Sequence, residues 1–134
     1  MTTAELLVRL AGIHSLGFAA FHLAFWRLFG WKRELAQLGT VNRAIMQILN
    51  LRVIYVFLGM GLIALIFAPD LVGTRLGLVL LGFMAVFWVG RTLEQFIFLR
   101  INDWRVHLLT GLFVLGAALH AVPMWLGFMR AISR

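Results

Sequence analysis

Four long apolar segments, at about 6–29, 43–68, 74–99 and 105–129, take up nearly all of this chain, and a lipid-spanning helix needs about 20 such residues. In hydrocarbon every backbone amide must be satisfied within its own segment, so each is predicted to be a helix. A length of 134 residues leaves no room for a soluble domain beside them. The expected fold is all-α: one integral membrane domain, residues 1–134, forming a four-helix transmembrane bundle. Composition agrees, because 63% hydrophobic residues against 13% charged is more apolar surface than a soluble domain of this size can bury.

The connections carry their own signals. In WKRELAQLGTVN, Trp31, Leu35 and Leu38 recur at helical spacing with Lys32, Arg33 and Glu34 opposite, the pattern of a short interfacial helix between helices one and two. Thr40 or Asn42 is expected to cap the second span, and APDLVGT to break it from the third. Asn102 or Asp103 is expected to cap the fourth, in which Pro123 is a potential kink. The first segment carries His14, His22 and Trp26 and no A-x-A site follows it, so it reads as an uncleaved span rather than a signal peptide.

A net charge of +7 would suggest nucleic acid in a soluble chain. Here the basic residues cluster at span ends, so topology is the better reading and no nucleic-acid partner is expected. Arg27, Lys32, Arg33, Arg43, Arg52, Arg91, Arg100 and Arg105 fall on the side of loops one and three, against Arg9, Arg75, Arg130 and Arg134 on the other. The positive-inside rule then makes the first side cytoplasmic and puts both termini outside. The absence of cysteine excludes disulfides, thiolate nucleophiles and Cys-rich metal sites.

The costliest residues lie in VFWVGRTLEQFIFLR, residues 86–100. Glu94 is placed roughly 8 Å and Arg91 roughly 12 Å below the inner boundary at 1.5 Å per residue. Three apart on one helix, they are in position to pair. Gln47, Asn50 and Arg52 of helix two occupy the same depth, with His22 of helix one nearby. These six residues are the expected ligand-binding set, an inner-leaflet pocket for an anion, a headgroup or a proton. Two alternatives stay open: a structural Arg91–Glu94 bridge extended by Gln47 and Asn50, and simple snorkelling of Arg52 and Arg91.

His14 and His120 lie at similar distances from the outer face, so a single haem b between them is conceivable. A second haem on His22 and His107 is disfavoured, because aligning one pair offsets the other by about 8 Å. No carboxylate on helix one joins His14 and His22 as a metal site. Gly73-T-R-L-Gly77 and the stripe Gly12, Ser15, Ala19 permit close helix approach. Trp26, Trp31, Trp104 and Trp125 suit interfacial belts, whereas Trp88 falls mid-span and is expected to pack inside.

The stretch FHLAFWRLFGWKRELAQLGTVNRAIMQILN, residues 21–50, resembles small four-span bacterial inner-membrane proteins of unassigned function. The likeness covers about a quarter of the chain and implies architecture only; a bacterial inner-membrane location is a separate expectation. Arg43, Ala44 and Asn50 give a looser resemblance to the membrane-associated eicosanoid and glutathione metabolism proteins, whose helix-two pattern is R-x-x-R-A-x-x-N-x-x-E. Here Gln47 stands at the Asn position and Asn50 at the Glu position. Three classes follow: a noncatalytic bundle binding a lipid, small ligand or protein partner; a small proton- or anion-coupled transporter; and a haem or glutathione-type redox protein. The first is favoured, embedded among membrane lipids and expected to be a homo-oligomer, because four spans bury little among themselves.

Overall fold

The structure, a computed structural model, describes residues 1–133. In order it comprises α1 (Thr3–Leu23), α2 (Phe25–Leu28), α3 (Trp31–Glu34), a 3-10 turn (Leu35–Gln37), α4 (Thr40–Ile66), α5 (Ala68–Gly73), α6 (Arg75–Phe98) and α7 (Trp104–Ile132). No strand occurs among the described residues. The helices α1, α4, α6 and α7 are each long and apolar enough to cross a membrane, so the chain is an all-α bundle with short helices between the first two spans.

Local chemistry sets most helix ends. Thr2 accepts from the Glu5 amide, Thr74 from Gly77 and Asp103 from Arg105, each hydroxyl or carboxylate satisfying an orphan N–H of the first turn. The second span differs from expectation: it starts at Thr40 behind Gly39 with no side-chain cap. The first span is shorter than its apolar run, ending at Leu23, after which Phe25–Leu28 forms a separate turn of helix. Gly30 then takes φ 57°, a left-handed value that glycine adopts without strain, and this starts α3. Trp31 and Leu35 share a face opposite the exposed Lys32, Arg33 and Glu34, as their spacing suggested, but that face is buried in the protein, where an interfacial helix would present it to the membrane boundary. The APDLVGT break is itself the short helix α5, with Pro69 in its first turn, where a missing N–H costs nothing.

The four spans run up and down. α1 packs on α4 and on α7, and α6 packs on α7. The fourth side of the ring is a looser seam, where α4 meets α6 through Phe57 against Phe87 and Trp88, with ring centroids 5.6 and 5.3 Å apart. α1 and α4 approach closely at a pair of glycines. A Cβ on Gly12 would lie 2.9 Å from the Gly61 carbonyl oxygen, so these backbones touch because neither position carries a side chain. Of the G-x-x-x-G pair, Gly77 packs directly on Asp70 and Leu71 of α5, while Gly73 has open space.

Two apolar layers fill the interior. Phe18, Phe57, Trp88 and Phe113, with Met60 and Met84, form an aromatic layer toward the end bearing α2 and α3. Val8, Ala64, Ala68, Leu71 and Leu81 form an aliphatic layer toward the chain termini. These ends are called below the basic end and the terminal end.

Candidate ligand site at the basic end of the bundle

The site begins where the aromatic layer stops. Asn50 is on the buried stripe Asn50, Ile54, Phe57, Gly61, Ala64 of α4, spaced three or four apart as one helix face requires. Its Nδ2 donates to the His22 carbonyl oxygen at 3.2 Å. The His22 imidazole hydrogen-bonds through Nδ1 to the Phe18 carbonyl oxygen at 2.9 Å. It stacks on Phe25, with centroids 4.4 Å apart, and tilts against Phe57. The Arg91 guanidinium lies 4.5 Å from the centroid of Phe113, a cation–π contact that supports a charge where water is scarce. His22, Asn50 and Arg91 therefore share the floor of the basic end, on the rings of Phe18, Phe57 and Phe113.

The other sequence candidates fall elsewhere. Glu94 is exposed and makes no ion pair with Arg91; among the described residues the one ion pair within 4 Å joins Arg33 and Glu34, at 3.1 Å on the surface. Arg91 points to Phe113 of α7, so the expected meeting of Arg91 and Glu94 with helix two does not occur. The reason is angular. Arg91 is nearer the buried face of α6 than Glu94, and the ring it reaches there is Phe113 of α7. Arg52 is exposed on the side of α4 away from the bundle, its guanidinium carbon 5.9 Å from the Tyr55 ring centroid. Gln47 donates to the Arg43 carbonyl of its own helix, and Arg43 reaches back to the carbonyls of Leu35, Ala36 and Leu38. The polar end of α4 thus secures the connection from α1 and leaves α6 alone.

Sequence reasoning missed the group with the greatest demand for a partner. Gln95 is 2% exposed, and neither its Nε2 nor its Oε1 has a hydrogen-bond partner among the described residues. A buried amide left so costs about 1–3 kcal/mol. Its position was readable, since Leu81, Trp88 and Gln95 repeat every seven residues along the buried stripe of α6. Gln95 lines a cavity of about 300 Å³ between the ends of α6 and α7, with Arg100, Asn102, His107 and Thr110. His107 Nε2 and Asn102 Oδ1 are 2.9 Å apart. Arg100 spends its Nε on the Phe96 carbonyl at 3.2 Å. Between the apolar side chains of Phe96, Leu99, Ile101 and Val106 the wall offers amide, imidazole, hydroxyl and guanidinium groups and no carboxylate, a set suited to a ligand with an apolar body and an electron-rich polar group.

His14 and His120 sit in the middle of the bundle, between the two apolar layers. His14 bonds through Nε2 to the Leu112 carbonyl at 2.9 Å, and His120 through Nδ1 to the Gly116 carbonyl at 2.7 Å. Both close on Gly116, where an added Cβ would lie 2.6 Å from Trp88 Cδ2 and 2.7 Å from His14 Cε1. A haem between them does not fit. The Trp88 ring lies against His14 at 4.7 Å, His120 is fully buried, and a macrocycle needs width that a methyl group lacks here. His14 Nδ1, Ser15 Oγ, Trp88 Nε1 and His120 Nε2 are buried with no partner among the described residues.

Comparison with protein-family models, with curated proteins and with solved structures gives no match for this chain.

Proposed function

We propose that this chain is a noncatalytic membrane bundle that binds a lipid headgroup or small polar ligand at its basic end, in the cavity between α6 and α7. The observation that carries the reading is Gln95, a buried amide with both ends unpaired at the wall of a largely apolar cavity that also carries Arg100, Asn102, His107 and Thr110. A group of that kind is retained at a cost, and a ligand that engages it offsets that cost. Arg100 supplies positive charge and His107, Thr110 and Asn102 supply further hydrogen bonds. His22, Asn50 and Arg91 form the neighbouring polar floor. The basic end faces the cytoplasm and both termini lie outside, following the distribution of Lys and Arg. A bacterial inner-membrane location is part of the same proposal.

The test is mass spectrometry of molecules retained when the full chain is extracted with its surrounding lipid. A ligand should co-purify in near-stoichiometric amount and be lost from Gln95→Leu, with helical content unchanged. Removing the unpaired amide should also raise stability of the ligand-free protein. Equal retention by wild type and Gln95→Leu would overturn the assignment.

The transporter reading draws on one observation of its own. The unpaired polar atoms of His14, Ser15, Trp88 and His120 form a polar layer at mid-membrane, of the type found along proton paths. Proton flux into liposomes, measured for wild type and His120→Leu, separates the two readings. A flux abolished by that substitution would favour transport over ligand retention.

A further inference from the structure

Two charged side chains stand on the lipid-facing surface with no ion pair within 4 Å among the described residues. Arg52 of α4 and Glu94 of α6 are both exposed, and neither belongs to the one ion pair found among the described residues. Their neighbours put both inside the hydrocarbon. Toward the basic end from Arg52, Ile45, Ile48 and Leu51 are exposed, and beyond Glu94 so are Phe96, Ile97 and Phe98. A charge flanked on that side by lipid-facing apolar residues has lost its water and regains little unless an opposite charge meets it.

Their depths match. The contacts of Phe57 with Phe87 and Trp88 fix the level of α4 against α6. From that level Arg52 lies about 8 Å toward the basic end and Glu94 about 10 Å, at 1.5 Å per residue. The offset of about 2 Å is within the reach of an arginine side chain. The two residues also flank the same side of the molecule, because α4 and α6 are neighbours across the loose seam. Within one chain they remain apart, Arg52 pointing away from the bundle.

We propose that two copies of this chain associate side by side through the α4–α6 face, with Arg52 of each copy paired to Glu94 of the other. A twofold axis along the membrane normal lays α4 of one copy against α6 of the second, twice over, and brings together groups that lie at one depth. A lipid phosphate would satisfy Arg52 and leave Glu94 stranded, whereas a second copy satisfies both. This inference is independent of the ligand site, which opens between α6 and α7.

The experiment is subunit counting of the full chain in liposomes over a range of protein-to-lipid ratios. Wild type should dimerise, Arg52→Glu and Glu94→Arg should each weaken association tenfold or more, and the two together should restore it. Should a charge reversal prevent insertion, cross-linking with the native charges intact reads the same interface. The chain has no cysteine, so Ile48→Cys and Ile97→Cys copies, one turn toward the basic end from Arg52 and Glu94, can be mixed and oxidised. Mixed disulfide dimers are expected. A wild type that is monomeric at every ratio, single reversals that leave association unchanged, a double reversal that fails to restore it, or an absence of mixed cross-links would overturn the proposal.

Discussion

Gly116→Ala is the sharpest test of how the centre of the bundle is packed. The new Cβ would sit 2.6 Å from Trp88 Cδ2, 3.0 Å from Trp88 Cε2 and 2.7 Å from His14 Cε1, all well inside van der Waals contact. Neither neighbour yields easily. Trp88 is fully buried with Phe57 stacked on it at 5.3 Å, and the His14 imidazole is held by the Leu112 carbonyl. Overpacking of this kind costs about 1–3 kcal/mol, and rigid neighbours put it near the upper figure. Alanine recovers up to about 1 kcal/mol of helix propensity. The net loss should therefore be about 2 kcal/mol. Thermal unfolding in detergent, followed by tryptophan fluorescence, reads the loss and the displacement of Trp88 together. Gly111→Ala, where a Cβ meets nothing within 4 Å, is the control and should be neutral or slightly stabilising. Trp88→Phe should recover part of the loss in the Gly116→Ala background, because the smaller ring vacates the contested space. A Gly116→Ala protein as stable as its Gly111→Ala control would refute the packing argument.

Other substitutions probe separate contacts. Gly12→Ala should push α1 off α4, since its Cβ would meet the Gly61 carbonyl oxygen at 2.9 Å; a loss of about 1–3 kcal/mol is expected in the same unfolding assay, against no loss for Gly17→Ala. Asn50→Ala removes the bond to the His22 carbonyl and should cost about 1 kcal/mol, whereas Arg52→Ala leaves the fold of a single copy unchanged. Glu94→Gln should likewise leave unfolding of a single copy unchanged, because no bridge to Arg91 exists to be broken; a loss comparable to that of Asn50→Ala would restore the internal pair. For orientation, a thiol at Gln37→Cys should react with a membrane-impermeant reagent only after the membrane is opened, and labelling from outside intact cells would invert the topology.

What the sequence revealed and what it withheld divide along one physical line. Depth was legible. A helix rises a fixed 1.5 Å per residue, so polar residues of four segments can be ranked by level without knowing how the segments pack. His22, Asn50 and Arg91 were placed at one level in this way, and they share the floor of the basic end. Azimuth was not legible to the same degree, because residues at one level meet only if their helices are neighbours and turn those faces toward each other. Depth alone pairs Arg91 and Glu94 with the polar end of helix two. The actual order around the bundle is α4, α1, α7, α6, so Arg91 meets Phe113 of α7 and Asn50 meets α1. Gln95 shows the complementary error. Its seven-residue spacing from Trp88 gives its azimuth as plainly as its depth, but a neutral amide costs less in hydrocarbon than the charges beside it and so signals a site less strongly in the sequence. The cost of a residue in hydrocarbon depends on its partners as well as on its charge. An uncharged side chain on the buried stripe therefore constrains a site more than a charged one whose helix face remains open to a neighbour.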